Sequence, residues 1–187
     1  MARSRSGTVA VVTRVVSVVL LLLLLLLATA PVVGQDESAP AEVDGRAMQV
    51  TVLTGPDVLA AIDPADASHA ERMAGYETLL AVTGRSLQDL SATVAMPADG
   101  EPGGYLVALR VAGADPAVLQ ALLVADIRAG LVEPRQETAT VVGKDVILIS
   151  AGTAADEAPF LLYGHGDTVW FIGGSEAEIA SLLEQLP

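Results

Sequence analysis

Two stretches of this chain repeat one order of elements: a β-hairpin, a corner of small residues and a capped helix. In the first stretch, a strand over residues 105–111 leads to Asp115, an N-cap residue followed by proline at the favoured first helical position. In the second, a strand over 168–171 leads through two glycines to Ser175. Hairpins joined to helices in this way predict an antiparallel sheet with helices on one face, and the repeated order suggests two similar halves.

The fold class that this pattern predicts is α+β, as a two-layer sandwich with about three helices on one face of a mostly antiparallel sheet. Alternating or β-rich segments predict six or seven strands, at residues 48–54, 91–96, 105–111, 137–142, 145–150, 160–163 and 168–171. The helices should begin behind the caps Ser68, Asp115 and Ser175. Tight turns are expected at Gly143-Lys144 and at residues 164–167.

The first 34 residues have the composition of an export signal. Three arginines and no acid precede an apolar run over residues 15–28, and small residues follow that run. We expect cleavage after Gly34. An uncleaved membrane anchor is the alternative, since no charge occurs over residues 15–34. The chain therefore divides into a signal peptide or N-terminal membrane anchor (1–34), an acidic flexible linker (35–47) and a single α+β domain (48–187).

Charge and cysteine content exclude several functions. All 23 acids but only seven of the ten bases follow Gly34, so the part after the leader carries 7 − 23 = −16. This charge opposes binding to nucleic acid or to an anionic membrane surface, which leaves the N-terminal segment, if uncleaved, as the contact with a membrane. The chain has no cysteine, which excludes disulfides, a thiol nucleophile and thiolate metal ligands.

His165 and Asp167 are the candidates for a catalytic pair, and they lie in a turn that contains two glycines. In a secreted hydrolase, Asp167 would orient His165 as a general base, and Ser150 or Ser175 would be the nucleophile. No G-x-S-x-G motif occurs, however, and a helix cap explains Ser175. A hairpin turn that needs positive φ explains the glycines. The sequence therefore favours a protein that is not an enzyme, with the hydrolase as the alternative.

No metal or cofactor site is expected from the sequence. The only histidines, His69 and His165, are isolated from each other, and His69 should face solvent in the first turn of a helix. Weak calcium binding is a second alternative, although nothing fixes six or more oxygens around the acid pairs that would supply it, Asp63 with Asp66 and Asp156 with Glu157.

Glycine-rich stretches at residues 100–104 and 173–174 do not fit a phosphate site. The first contains an acid and a proline where a phosphate cradle needs free amides and a lysine. The second precedes a helix, but Glu176 and Glu178 would repel an anion there. Lys144, the only lysine, is better explained as a hairpin residue than as a site residue.

Three segments carry a resemblance: Val111-Ala112-Gly113-Ala114-Asp115, Val142-Gly143-Lys144-Asp145-Val146 and Gly166-Asp167-Thr168-Val169-Trp170-Phe171. They are similar to poorly characterised exported or membrane-tethered domains of high-GC bacteria, over about residues 43–187. The resemblance implies the compartment and the fold, and no activity. We therefore expect a non-catalytic extracytoplasmic domain that binds a protein partner or serves the cell envelope. An exposed edge strand or the helix-free sheet face would be its contact surface.

Overall fold

The computed structural model describes residues 39–61, 69–131, 133–151 and 160–187. Within them, one sheet holds eight strands: β1 Glu42–Val43, β2 Arg46–Thr54, β3 Leu90–Pro97, β4 Tyr105–Val111, β5 Pro134–Val141, β6 Lys144–Ala151, β7 Phe160–His165 and β8 Thr168–Gly173. Four helices accompany the sheet: α1 Gly55–Ala60, α2 His69–Thr83, α3 Pro116–Gly130 and α4 Glu176–Gln185. A single 3₁₀ turn, Leu87–Asp89, leads into β3.

The strand order is β1-β2-β3-β4-β8-β7-β6-β5, and every neighbouring pair is antiparallel. From one edge to the centre the strands run β1, β2, β3, β4, and from the other edge to the centre they run β5, β6, β7, β8. The sheet therefore divides into two halves, β1–β4 and β5–β8, that meet where β4 pairs with β8. The predicted α+β class and antiparallel sheet are confirmed.

The described residues contain eight strands and four helices, rather than six or seven strands and three helices. The additional strand, β1, has two residues and lies in the stretch 35–47 that the sequence predicts as a linker. The additional helix, α1, has six residues, which is too short for a helical periodicity to be recognised. The sheet therefore begins before Met48.

Helices cover both faces of the sheet, so the expectation of a two-layer sandwich with helices on one face is wrong. α1, α2 and α3 pack on the first face, with strand residues such as Val107 and Val169. α4 packs on the second face, with Leu106 and Ile172. Alternate residues of a strand point to opposite faces, and both alternating sets of β4 and β8 contain buried apolar residues. A strand that is apolar on both sides needs a cover on each.

A stripe of apolar residues on and just after α4 forms its contact with the second face. Leu182, Leu183 and Leu186 are buried against the sheet, and Ile179 packs at the margin of the same cluster. Full burial of a leucine side chain contributes about 2 kcal/mol, so these three residues are sufficient to fix a ten-residue helix on the sheet. Ser181 donates a hydrogen bond to Asp44 in the β1–β2 turn, at 2.8 Å.

Two of the predicted helix caps are confirmed. The Asp115 carboxylate accepts from the Ala117 N–H at the start of α3, and Ser175 forms a reciprocal capping box with Glu178 at the start of α4. In the turn that begins at Ser86, the Asp89 carboxylate accepts from both the N–H and the hydroxyl of Ser86, each at 2.8 Å. The capping box predicted at Ser68 lies outside the described residues.

The β5–β6 turn is shifted by one residue from its predicted position. The structure places Val142 and Gly143 in the turn, with φ of 45° and 79°, and Lys144 begins β6. A two-residue turn with left-handed φ at both positions matches the twist of the strands that it joins. The glycine therefore takes the second turn position, and a β-branched valine has to adopt left-handed φ at the first.

Candidate functional site

The two sequence candidates for a catalytic pair lie together at one hairpin. His165 is the exposed last residue of β7 and pairs with Thr168 across the strands. Gly166 and Asp167 form the turn between them, and Gly166 has the left-handed φ, 56°, that its lack of a side chain allows. The turn predicted at residues 164–167 is thus confirmed, although Gly164 and His165 still belong to β7 and only Gly166 and Asp167 form the turn.

The Asp167 carboxylate has several donors, and His165 is not one of them among the described contacts. Arg110 Nε donates to Oδ1 at 3.0 Å, the Gly113 N–H donates to Oδ2 at 3.0 Å, and the Thr168 hydroxyl lies 3.3 Å from Oδ1. Partial burial opposes ionisation of this carboxyl, but the hydrogen bonds from Arg110 and Gly113 outweigh it and lower its pKa. Asp167 therefore ties the β7–β8 turn to the corner between β4 and α3.

His165 belongs instead to a row of rings on the second face. Its imidazole stacks on Tyr163 with centroids 6.4 Å apart, and Tyr163 stacks on Trp170 at 5.4 Å. Tyr163 and Trp170 are buried, whereas His165 is exposed at the end of the row. The indole Nε1 of Trp170 is buried without a hydrogen-bond partner.

Neither candidate nucleophile comes near His165. Ser150 follows Ile149, which pairs with Phe160 at the beginning of β7, whereas His165 ends that strand. Five residues of extended chain span about 17 Å. Ser175 lies beyond the far end of β8, about 20 Å from the turn by the same rise per residue. Its hydroxyl is engaged with Glu178 at 2.7 Å, as its predicted role as a cap requires.

Lys144 has partners that the sequence could not show. Its Nζ donates to the main-chain carbonyl oxygens of Leu186 at 2.9 Å and Pro187 at 3.0 Å, and lies 5.1 Å from the centroid of the Tyr163 ring. The Tyr163 hydroxyl donates to the same Pro187 oxygen at 2.5 Å. The lysine therefore fixes the end of α4 to the second face.

Glycines in both glycine-rich stretches allow close packing, of the β3–β4 loop against α4 and of Gly173 against Tyr105. A Cβ on Gly104 would lie 2.9 Å from Glu178 Cβ, and one on Gly173 would lie 2.3 Å from the Tyr105 ring. The Glu178 carboxylate accepts from the Ser175 N–H, at 2.8 Å, and from the Gly104 backbone. A side-chain carboxylate therefore occupies the N-terminus of α4.

Among the remaining candidates, only His69 lies in the described part of the chain. His69 is half-buried rather than facing solvent, and its Nδ1 is buried without a hydrogen-bond partner. In the described part of the chain, no group of three or more histidine, aspartate or glutamate side chains is placed to hold a metal ion. The acid pairs named for weak calcium binding, Asp63 with Asp66 and Asp156 with Glu157, lie outside the described residues.

β5 forms the one long edge of the sheet within the described residues. It has eight residues and pairs on one side with β6, and no described strand lies on its other side. β1, at the opposite edge, has two residues. Because Val141 and Lys144 flank a two-residue turn, they exchange hydrogen bonds, and the pattern then alternates along the pair. The N–H and C=O groups of Gln136, Thr138 and Thr140 therefore point away from the sheet.

No described helix is both long and apolar enough to cross a membrane, and the predicted leader, residues 1–34, lies outside the described residues. Neither a protein-family model, nor a curated protein, nor a solved structure matches this chain. The function proposed below is therefore argued from the sequence and the geometry of the chain itself.

Proposed function

We propose that this protein is a non-catalytic domain, exported across a membrane, that binds a protein partner at the outer edge of β5. The observation that carries the proposal is the outer edge of this strand, which no described strand pairs with and where three residues have main-chain donors and acceptors that point outward. An extended segment of another chain can pair with such an edge and gain main-chain hydrogen bonds. Natural sheets protect long edges unless these are used, because an unprotected edge promotes aggregation.

The arrangement around His165 supports a binding role over catalysis. Its ring packs on Tyr163, and the carboxylate that would orient it is engaged with Arg110 and Gly113. Both candidate serines lie roughly 20 Å away along the strands. A base that activates a serine must come within hydrogen-bond reach of its hydroxyl, and neither Ser150 nor Ser175 meets this condition at His165.

Export is proposed from the composition of residues 1–34, with cleavage after Gly34. Mass spectrometry of the protein recovered from outside the cytoplasmic membrane should show an N-terminus at Gln35. If the protein is instead found in the membrane fraction with a mass that includes the leader, it is tethered to the membrane rather than secreted. Full-length protein in the cytosol alone would contradict the proposed location.

Site-specific photo-cross-linking in cells that export the protein tests the binding surface. A photoreactive residue at position 138 should give a discrete adduct, and the same residue at the exposed position 78 of α2 should not. Thr138→Pro removes an outward N–H and leaves the β5–β6 hydrogen bonds intact, so it should weaken binding of the partner identified in the adduct at least about tenfold. Thr138→Ala keeps the main-chain donor and is the matched control. Equal adducts at both positions, or binding unaffected by Thr138→Pro, would contradict the proposal.

A further inference from the structure

The outer edge of β5 is self-complementary in one antiparallel register. When two copies are centred on Thr138, this residue faces Thr138 of the second copy, and Gln136 faces Thr140 on each side. All six of these residues have an N–H, so each of the three facing pairs can exchange two hydrogen bonds. A shift that centres the pairing on Gln136 brings Pro134 opposite Thr138, where it has no N–H to donate.

Side chains along β5 fit the same register. On the second face, Glu137 lies opposite Ala139 of the second copy and Arg135 lies opposite Val141, so no like charges face each other directly. On the first face, the Gln136 amide oxygen accepts from Arg128 at 3.3 Å, and the Thr140 hydroxyl donates to Asp145 at 3.0 Å. These contacts hold the flanking side chains in place, which lowers the entropy cost of pairing.

Charge distribution favours this edge as a meeting point of two acidic molecules. Residues 128–145 contain three acids, Glu133, Glu137 and Asp145, and three bases, Arg128, Arg135 and Lys144, so their net charge is zero. The remainder of the chain after Gly34 carries 20 acids and four bases. Two copies of an acidic protein repel each other least where the local charge is balanced.

We propose that the partner at β5 is a second copy of this chain, so that two eight-stranded sheets join into one continuous antiparallel sheet. The contact is isologous, with a two-fold axis at Thr138. This inference rests on the proposed use of the β5 edge for binding, and it adds the identity of the occupant.

Single cysteines test the register, because the chain has no cysteine of its own. With a thiol cross-linker shorter than about 10 Å, Thr138→Cys should link to itself, and Gln136→Cys mixed with Thr140→Cys should give the heterodimer. Gln136→Cys alone should not link, since four residues, or about 13 Å, separate it from its own copy along the strands. Thr78→Cys on α2 is the control for random collision. Linkage of Gln136→Cys to itself as readily as Thr138→Cys would overturn the register.

Sedimentation of the exported protein over a range of concentrations tests the dimer itself. The apparent mass should rise from that of a monomer to that of a dimer as concentration increases. Thr138→Pro should raise the dissociation constant of the dimer at least about tenfold, while Thr138→Ala should change it little. Higher salt should strengthen the dimer, because it screens the repulsion between two acidic copies.

The outcomes separate this inference from the proposed function. A wild-type protein that stays monomeric, while its position-138 adduct contains a different protein, overturns self-pairing and leaves the β5 binding surface standing. A monomer without any position-specific adduct overturns both. A dimer that Thr138→Pro leaves unchanged places the contact elsewhere and overturns the inference about β5.

Discussion

Arg110 and Asp167 join the two halves of the sheet, with Arg110 Nε donating to Asp167 Oδ1 at 3.0 Å. Arg110 lies on β4, and Asp167 lies in the turn that leads into β8, the neighbouring strand of the other half. The second carboxylate oxygen accepts from Gly113 in the corner that precedes α3. One carboxylate thus ties the β7–β8 turn to residues 110–113, which are more than 50 positions away in the sequence, and this gives Asp167 a structural role.

Loss of this carboxylate should change how stability depends on pH. The hydrogen bonds lower the pKa of Asp167 in the folded protein, so the ionised form stabilises the fold at and above neutral pH. That contribution is lost as pH falls below about 4 and through the folded-state pKa. We expect Asp167→Asn to lower the free energy of unfolding at pH 7 and to flatten its decline between pH 5 and pH 2.

Denaturant unfolding at several pH values measures this effect, and the exposed Glu77→Gln on α2 is the control for a change in net charge alone. Equal slopes for Asp167→Asn and the wild type below pH 5 would show that the contacts of Asp167 add nothing to stability.

Gly55 should be intolerant of a side chain. A Cβ at this position would lie 1.8 Å from the carbonyl oxygen of Leu87, where α1 meets the 3₁₀ turn. Because this neighbour is main chain and cannot move aside alone, Gly55→Ala should lower the free energy of unfolding by about 2–3 kcal/mol. Gly75, inside α2, has open space around it, and Gly75→Ala should raise the free energy by about 0.5–1 kcal/mol. Thermal unfolding of both variants measures the contrast, and equal effects would contradict it.

Val142 is a site where a substitution should stabilise the protein. Its φ of 45° is unfavourable for a β-branched residue, and its side chain is 41% exposed, so it contributes little packing. Asparagine adopts left-handed φ more readily, and Asn-Gly is the preferred pair for this turn. We expect Val142→Asn to raise the free energy of unfolding by about 1 kcal/mol. Gly143→Ala, at φ 79°, should have the opposite sign in the same measurement; a loss of stability in both variants would refute the account of the turn.

Local signals in the sequence predicted local structure. Asp115 and Ser175 mark helix starts because a cap acts over three residues, and the glycines at 143 and 166 mark turns for a similar reason. The helix on the second face also has a signal in the sequence: β4 has apolar residues in both alternating sets of positions, interrupted only by Arg110, and such a strand requires a cover on each face.

The contacts around the candidate site could not be read from the sequence, because they join distant positions. Arg110 and Asp167 are 57 residues apart, and Lys144 contacts Pro187 over 43 residues. Which acid pairs with which base depends on the strand order. Arg110 reaches Asp167 because β4 and β8 are antiparallel neighbours, and that pairing is set by the packing of the whole sheet. A His–Asp pair two residues apart therefore indicated proximity correctly without indicating that the two side chains interact.

Lys144 and Tyr163 should control the docking of the end of α4. Lys144→Met keeps the aliphatic part of the side chain and removes the donor to the Leu186 and Pro187 carbonyls. Tyr163→Phe removes the hydroxyl that donates to Pro187 and keeps the ring that stacks on Trp170. We expect each variant to lose about 1–2 kcal/mol of stability and to increase hydrogen exchange in the last turn of α4.

Fluorescence of Trp170 gives a second measurement, because it is the only tryptophan and is 2% exposed. Both variants should keep the emission of a buried indole, since the stacked rings remain, whereas unfolding should shift it to longer wavelength. If hydrogen exchange rises throughout the sheet rather than at the end of α4, Lys144 stabilises the whole domain and not the docking of this helix alone.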